Sequence, residues 1–293
     1  MNEDFDVAVY KQRLLVAPVG DIQFTGSANV GGCSESALRS YLTEIRRLAE
    51  VNDAQVAWIG TGDYVDLMSP SNRVRYRASG LYSTAGRMVS SAVSGIVAEL
   101  AAVLREYMEP HEIVALCYGH HYFTYDMGDN NEEVLPWRDT DVHLACELGM
   151  SQREHQGLVH GLGCVTFQFQ EGGATYRVLF EHGQGNGQML AYGLNKLDKI
   201  AGGWEGVDAH VMGHVHKIGI SKKARLMLDE RGELCHRDIM LLTSGTFLRG
   251  YVAESVLYPE MKQLPPLPLG SSAVLVSIDA SLPTGLRAVG LTL

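Results

Sequence analysis

The segment "AQVAWIGTGDYVD", Ala54 to Asp66, decides how the chain is read. Its first half is a short apolar run, the pattern of a strand covered on both faces. Its second half, two glycines followed by Asp63 and then Asp66, stops the run and turns the chain. A strand therefore delivers a carboxylate at its carboxyl end. The same pattern recurs four times: "LLVAPVGD" stops at Asp21, "IVALCYGHH" at His120 and His121, "YRVLFEHG" at His182, and "AHVMGHVH" at His214 and His216. In α/β sheets ligands gather at the carboxyl ends of strands, so five such ends make one expected cluster.

Working outward, the first half alternates strands with helical periodicity. Helices are expected over Ser36 to Glu50, with Ser34 or Ser36 as a cap, and over Ser90 to Met108, with a short one from Asp141 to Met150. The second half is richer in strands ("CVTFQFQ", "TYRVLFEHG", "DAHVMGHVH", "IGISKKARLML", "DIMLLTSGTF", "SSAVLVSID"), interrupted by one helix over roughly Gln188 to Ala201. No linker separates these parts, so one domain over residues 1–293 is expected. The fold class is α/β (α+β): a two-sheet β-sandwich flanked by helices on both sides, in four layers, with strand-helix units first and more antiparallel pairing later.

The bulk numbers exclude several classes. Lys and Arg number 24 against 34 Asp and Glu, a net charge of −10, so general attraction to nucleic acid or anionic lipid is not expected. The acidic start "MNEDFDVAVYKQ" lacks the pattern of a signal peptide, and no apolar run reads as long enough to span a bilayer. The five cysteines are scattered, without CxxC spacing, which points to a reducing, cytoplasmic setting. Cys117 and Cys164 sit in apolar runs and read as small core residues.

His214 and His216 are two apart, so on an extended backbone both point the same way. Mixed carboxylate and imidazole donors suit Mn, Fe, Zn, Co or Ni better than Mg or Ca. A carboxylate such as Asp63 can bridge two cations. Asp66 reads either as a group that orients a histidine through its second ring nitrogen or as a turn-forming residue. His111, His143, His155, His160, His210 and His236 read as structural.

The segments "GDIQ", "GDYVD", "GHHY", "EHGQ" and "GHVH", from Asp21 to His216, resemble the motif series of the calcineurin-like metallophosphoesterases. "SGTFLRGY" and "LPLGS" are similar to segments in phage-encoded members. That family is a helix-flanked β-sandwich, in keeping with the fold read from the strands. The resemblance implies two divalent transition-metal ions. One would be held by Asp21, the residue at Gln23, Asp63 and His216, the other by Asp63, His120, His182 and His214, with His121 as the catalytic histidine. Three positions depart from the pattern. Gln23 replaces a histidine, His120 replaces an asparagine, and Tyr122 stands where an acid orients the catalytic histidine. The expected consequence is a tight second metal and a looser first.

The loop "LMSPSNRVRYRASGLYSTAGR" carries Arg73, Arg75, Arg77 and Arg87 with no acid among them, and Tyr76 and Tyr82 for stacking. It reads as a substrate clamp or as a solvated or oligomer-contacting loop. The run Lys217, Lys222, Lys223 and Arg225 reads as the polar face of a strand. Together these features point to a phosphodiesterase or nuclease acting on a nucleotide or a short single strand, independent of membranes. A homo-oligomer is compatible with the loop. A phosphomonoesterase, or a metal-binding scaffold without catalysis, are the competing readings.

Overall fold

The computed structural model describes residues 9–10, 12–26, 32–66, 83–125, 138–150, 158–185, 189, 191–228, 232–251, 260, 265–282 and 284–293. Two mixed sheets of six strands lie face to face. In chain order the strands are β1 (Val9–Tyr10), β2 (Arg13–Val19), β3 (Gln55–Gly60), β4 (Ile113–Cys117), β5 (Leu158–Val159), β6 (Leu162–Phe169), β7 (Thr175–Glu181), β8 (Ala209–Met212), β9 (Ile218–Leu228), β10 (Leu234–Ser244), β11 (Ser272–Ile278) and β12 (Leu286–Thr292). One sheet has the order β12-β11-β2-β3-β4-β5 and the other β1-β6-β7-β8-β10-β9. The helices are α1 (Glu35–Asn52), α2 (Ser83–Arg105), α3 (Thr140–Glu147) and α4 (Tyr192–Ala201).

Strand alternation explains why the runs are continuously apolar. In β2, Leu14 and Val16 face the other sheet, where they meet Phe167, Val178, Val211 and Leu242. Leu15, Ala17 and Val19 face the other way and pack on Leu38, Leu42 and Ile45 of α1 and on Val97, Leu100 and Leu104 of α2. On the far side, α4 lays Leu197 and Ala201 over Met212, Ile239 and Leu241. The four layers are therefore helices, sheet, sheet, helix, as the sequence predicts. Pairing is parallel along β2, β3, β4 and β5, and antiparallel in the hairpins β6–β7, β9–β10 and β11–β12. β7, β8 and β10 also run parallel, so their carboxyl ends emerge together.

Three expectations are corrected. Cys164 is exposed, because the inward set of β6 is Val165, Phe167 and Phe169 and the cysteine falls on the opposite face. Lys217 is buried, its ammonium donating to the Met189 carbonyl at 2.8 Å, so it does not belong to a solvated face. Further along β9, Lys223 pairs with Asp198 of α4 at 2.7 Å while Lys222 is exposed. Finally, the stretch Met88–Arg105 of α2, with mean hydropathy 1.5, is long and apolar enough by length and composition to cross a bilayer. In this fold it is a core-packing helix, burying Val93, Val97, Leu100 and Leu104.

Candidate metal centre

The loops that follow β2 and β3 run side by side, joined by backbone hydrogen bonds from Asp21 to Gly62 (2.8 Å) and from Gln23 to Asp63 (3.0 Å). These loops, with those after β4, β7 and β8, bring the predicted side chains together at one end of the sandwich. The backbone there is unusual. Among the described residues, seven that are not glycine adopt positive φ, and five of them are Asp21, Gln23, Asp63, His214 and His216. Each such conformation costs roughly 1–3 kcal/mol and persists where the surroundings over-determine it, typically at functional sites.

Four donors form the tighter group. One ligand atom from each of Asp63, His120, His182 and His214 lies within 4.8 Å of the others. Their ring orientations are fixed from behind. His182 donates from Nδ1 to the Thr61 carbonyl at 2.6 Å, which turns Nε2 toward Asp63 Oδ2, 3.2 Å away. His214 donates from Nε2 to the Gly185 carbonyl at 2.9 Å, which leaves its Nδ1 facing His120 Nδ1 at 3.2 Å. Hydrogen bonds of this kind set the tautomer that offers a lone pair.

The second group is Asp21, Gln23 and His216. His216 Nε2 stands 3.2 Å from Asp21 Oδ1 and 3.1 Å from Gln23 Nε2. The Gln23 amide thus presents its nitrogen to the imidazole; presenting the carbonyl oxygen takes only a half-turn of the amide. Asp21 is fully buried and its Oδ2 accepts the His214 backbone N–H at 2.7 Å.

The adjacent histidines of the β4 loop have different partners. Both backbone N–H groups donate to Asp63 Oδ1, that of His121 at 2.9 Å, so the chain turns around the carboxylate. His120 reaches His214, whereas His121 Nδ1 meets Asp66 Oδ1 at 2.8 Å and its Nε2 lies 3.9 Å from Asp63 Oδ2. Asp66 thus places a carboxylate against the His121 ring, where the neighbouring Tyr122 has none to offer. Gly119 is required by close approach: a Cβ there would stand 2.1 Å from both the nitrogen and Oδ1 of Asp63.

The electrostatics follow from this packing. Burial, with the neighbouring His182, pulls His214 down to about 4, and burial also lowers His120, so both imidazoles are neutral donors. Burial disfavours the His182 cation too, but the adjacent Asp63 carboxylate outweighs it and raises that imidazole to about 9. Burial pushes Asp63 up, yet His182 and His121 hold it well below the usual carboxylate range. Against burial, Asp66 and then Asp63 give His121 a net upward shift. The centre thus calls for positive charge beside Asp63.

The donor set fits divalent cations. Asp21 Oδ1 and His182 Nε2 are buried, and their 3.2 Å approaches to His216 Nε2 and Asp63 Oδ2 are ion-pair contacts without hydrogen-bond geometry. Unpartnered buried polar atoms are costly unless an ion or water satisfies them. Imidazole and carboxylate donors together suit a transition metal.

Thr61, Gly185, Thr246 and Asp141 were not anticipated from the sequence. Thr246 Oγ1 donates to the Asp21 carbonyl at 3.0 Å, and Asp141 Oδ2 accepts the Gly119 N–H at 3.1 Å. Only Thr246 carries a sequence signal, since "TSGTF" also ends a strand in small polar residues. Arg73, Arg75 and Arg77, with Tyr76, Tyr82 and the Arg87 side chain, lie outside the described residues.

No family model matches the chain, and no curated protein does. Among solved structures, the chain is similar to the crystal structure of a 5'-nucleotidase from Candida albicans SC5314, with a TM-score of 0.34 and 11% identity. The alignment covers 98% of this chain and 52% of that one, so the chain spans about half of its length.

Proposed function

We propose that this protein is a metal-dependent phosphoesterase of the calcineurin-like type, acting on phosphodiester bonds of nucleotides or short single strands. The observation that carries this reading is the convergence of Asp63, His120, His182 and His214 on one point, beside Asp21, Gln23 and His216, with His121 held by Asp66 at its edge. Asp63, His120, His182 and His214 would hold one cation. Asp21, Gln23 and His216 would hold a second, with Asp63 between the two. When bound, such cations supply Lewis acidity to phosphoryl oxygens and to water.

The chain's own contribution is orientation and proton transfer. Asp66 fixes the His121 ring through Nδ1 and favours its protonated form, leaving Nε2–H to face the site. His121 then donates that proton from Nε2 to the departing oxygen of the ester. The neutral imidazoles of His120 and His214 stay available as donors at neutral pH because burial holds their protonation down. The net charge of −10 favours a small nucleotide or a short strand over long duplexes.

The test is hydrolysis of bis-p-nitrophenyl phosphate and p-nitrophenyl phosphate with added Mn, Ni, Zn or Mg, beside His121→Ala. Turnover of the diester that collapses in the variant is the expected result. Preference for the monoester replaces the diesterase assignment, and no turnover with any metal removes the enzyme reading.

A further inference from the structure

Beside the metal centre, a cavity of about 120 Å³ opens between the loop after β10 and the Pro-rich segment before β11. One wall is His216, and Thr246 joins it to the Asp21 backbone. The other walls are Leu248, Tyr251, Pro265, Pro266, Leu267 and Leu269. Two of these, Tyr251 and Leu269, are large apolar side chains left exposed, at 49% and 36%. Tyr251 also has φ +58, one of only two positive-φ residues other than glycine that lie outside the metal cluster among those described. The other, Asp53, merely ends α1. An exposed tyrosine on a strained backbone, facing apolar residues beside a metal ligand, is a costly arrangement to maintain without use.

We infer that this slot binds the flat, apolar ring of the ester's organic group and thereby selects aromatic phosphoesters. An apolar cavity of roughly 150 Å³ accepts a benzene-sized ring, so the volume suits one ring with its edge open to solvent. The tyrosine face and the proline rings offer stacking surfaces, and among the described residues no Asp, Glu, Lys or Arg lines the cavity. A ring seated there lies against His216, which places the attached phosphate toward the metal centre. A simple aryl group and a nucleobase share this chemistry.

The inference rests on the phosphoesterase reading and is tested by binding rather than turnover. Titration calorimetry of the Mn-loaded protein with phenylphosphonate and methylphosphonate, neither of which is hydrolysed, measures the ring's contribution. Burying most of one ring face corresponds to about tenfold tighter binding of the phenyl compound. Tyr251→Ala and Leu267→Asp, each at a solvent-accessible position, should bring that ratio close to one, with unchanged melting temperature showing that the fold is intact. Adenosine monophosphate binding tighter than phenylphosphonate identifies a nucleobase, and no gain identifies a simple aryl ester; both support the slot. Equal affinity for the two phosphonates in the unaltered protein, or a ratio that survives both substitutions, overturns the slot while ester hydrolysis still upholds the enzyme reading. Failure of every phosphonate to bind, together with absence of hydrolysis, overturns both.

Discussion

Asp66 Oδ1 lies 2.8 Å from His121 Nδ1, joining the end of the GDYVD segment to the second histidine of the GHHY segment. With Asp66 acting through the ring, Asp66→Asn should lower kcat by about 10²-fold and leave KM and metal content nearly unchanged. His121→Ala should cost about 10²–10⁴-fold, the usual scale for a general acid. The alkaline limb of the pH–rate profile, where a general acid loses its proton, is unaffected by either change if His121 is not the proton donor. Steady-state kinetics across pH, with metal analysis of each variant, checks this.

The two donor groups differ in kind, three imidazoles and a carboxylate against one imidazole, one carboxylate and a neutral amide. Metal titration should therefore resolve two unequal affinities. Saturating the tighter site at a hundred times its Kd should stabilise the fold by about 2.7 kcal/mol, and a chelator should remove that gain. His182→Ala should weaken the tight site by more than about 100-fold, since even outer partners of metal ligands are worth 10–100-fold. Gln23→His should narrow the difference between the sites. Two equal affinities in the unaltered protein contradict the assignment.

Gly119→Ala isolates the effect of a single methyl group. Its φ is not positive, so the backbone itself tolerates alanine, but the added Cβ would meet Asp63 at 2.1 Å. Either Asp63 or the β4 loop must move, and the variant should lose about 1–3 kcal/mol together with its tight metal. Gly161→Ala is the contrasting case. Its φ is +88 and nothing lies within 4 Å of a new Cβ, so only backbone strain of about 1–2 kcal/mol is expected, with metal binding preserved. Denaturant melts and metal titration of the pair separate the two causes.

These relationships mark what the sequence could and could not disclose. The runs that end at Asp21, Asp63, His120, His182 and His214 were legible because both faces of those strands are covered and the polar residue interrupts an unbroken apolar pattern. Burial at Cys164 was misread because "CVTFQF" looks continuous, whereas the hairpin strand β6 alternates. The α2 helix begins at Ser83, seven residues before the expected Ser90, and its first residues, "STAGR", carry little apolar periodicity by which to read it. The Asp66–His121 contact joins residues 55 apart, and the carbonyls of Thr61 and Gly185 that fix ring orientation are backbone atoms of any residue type. Positive φ at five positions of the cluster leaves no trace in residue identity, since none of the five is glycine.

His143 gives a pH dependence independent of the metal centre. It is buried at 1% exposure, with Nδ1 2.7 Å from the Tyr125 hydroxyl and Nε2 3.6 Å from Glu147. Burial lowers its pKa and outweighs the opposing pull of Glu147, so folding favours the neutral ring. The unfolded chain therefore takes up the proton first as pH falls. Stability contributed at this site is present above the ordinary imidazole pKa, declines as pH drops through it, and levels off below the depressed folded value. One proton corresponds to a slope of at most about 1.4 kcal/mol per pH unit. His143→Gln keeps a polar group beside Tyr125 but cannot titrate. Urea melts between pH 5 and pH 8 should show a flatter stability profile for this variant than for the unaltered protein. Parallel profiles would mean that the Glu147 carboxylate compensates fully for burial.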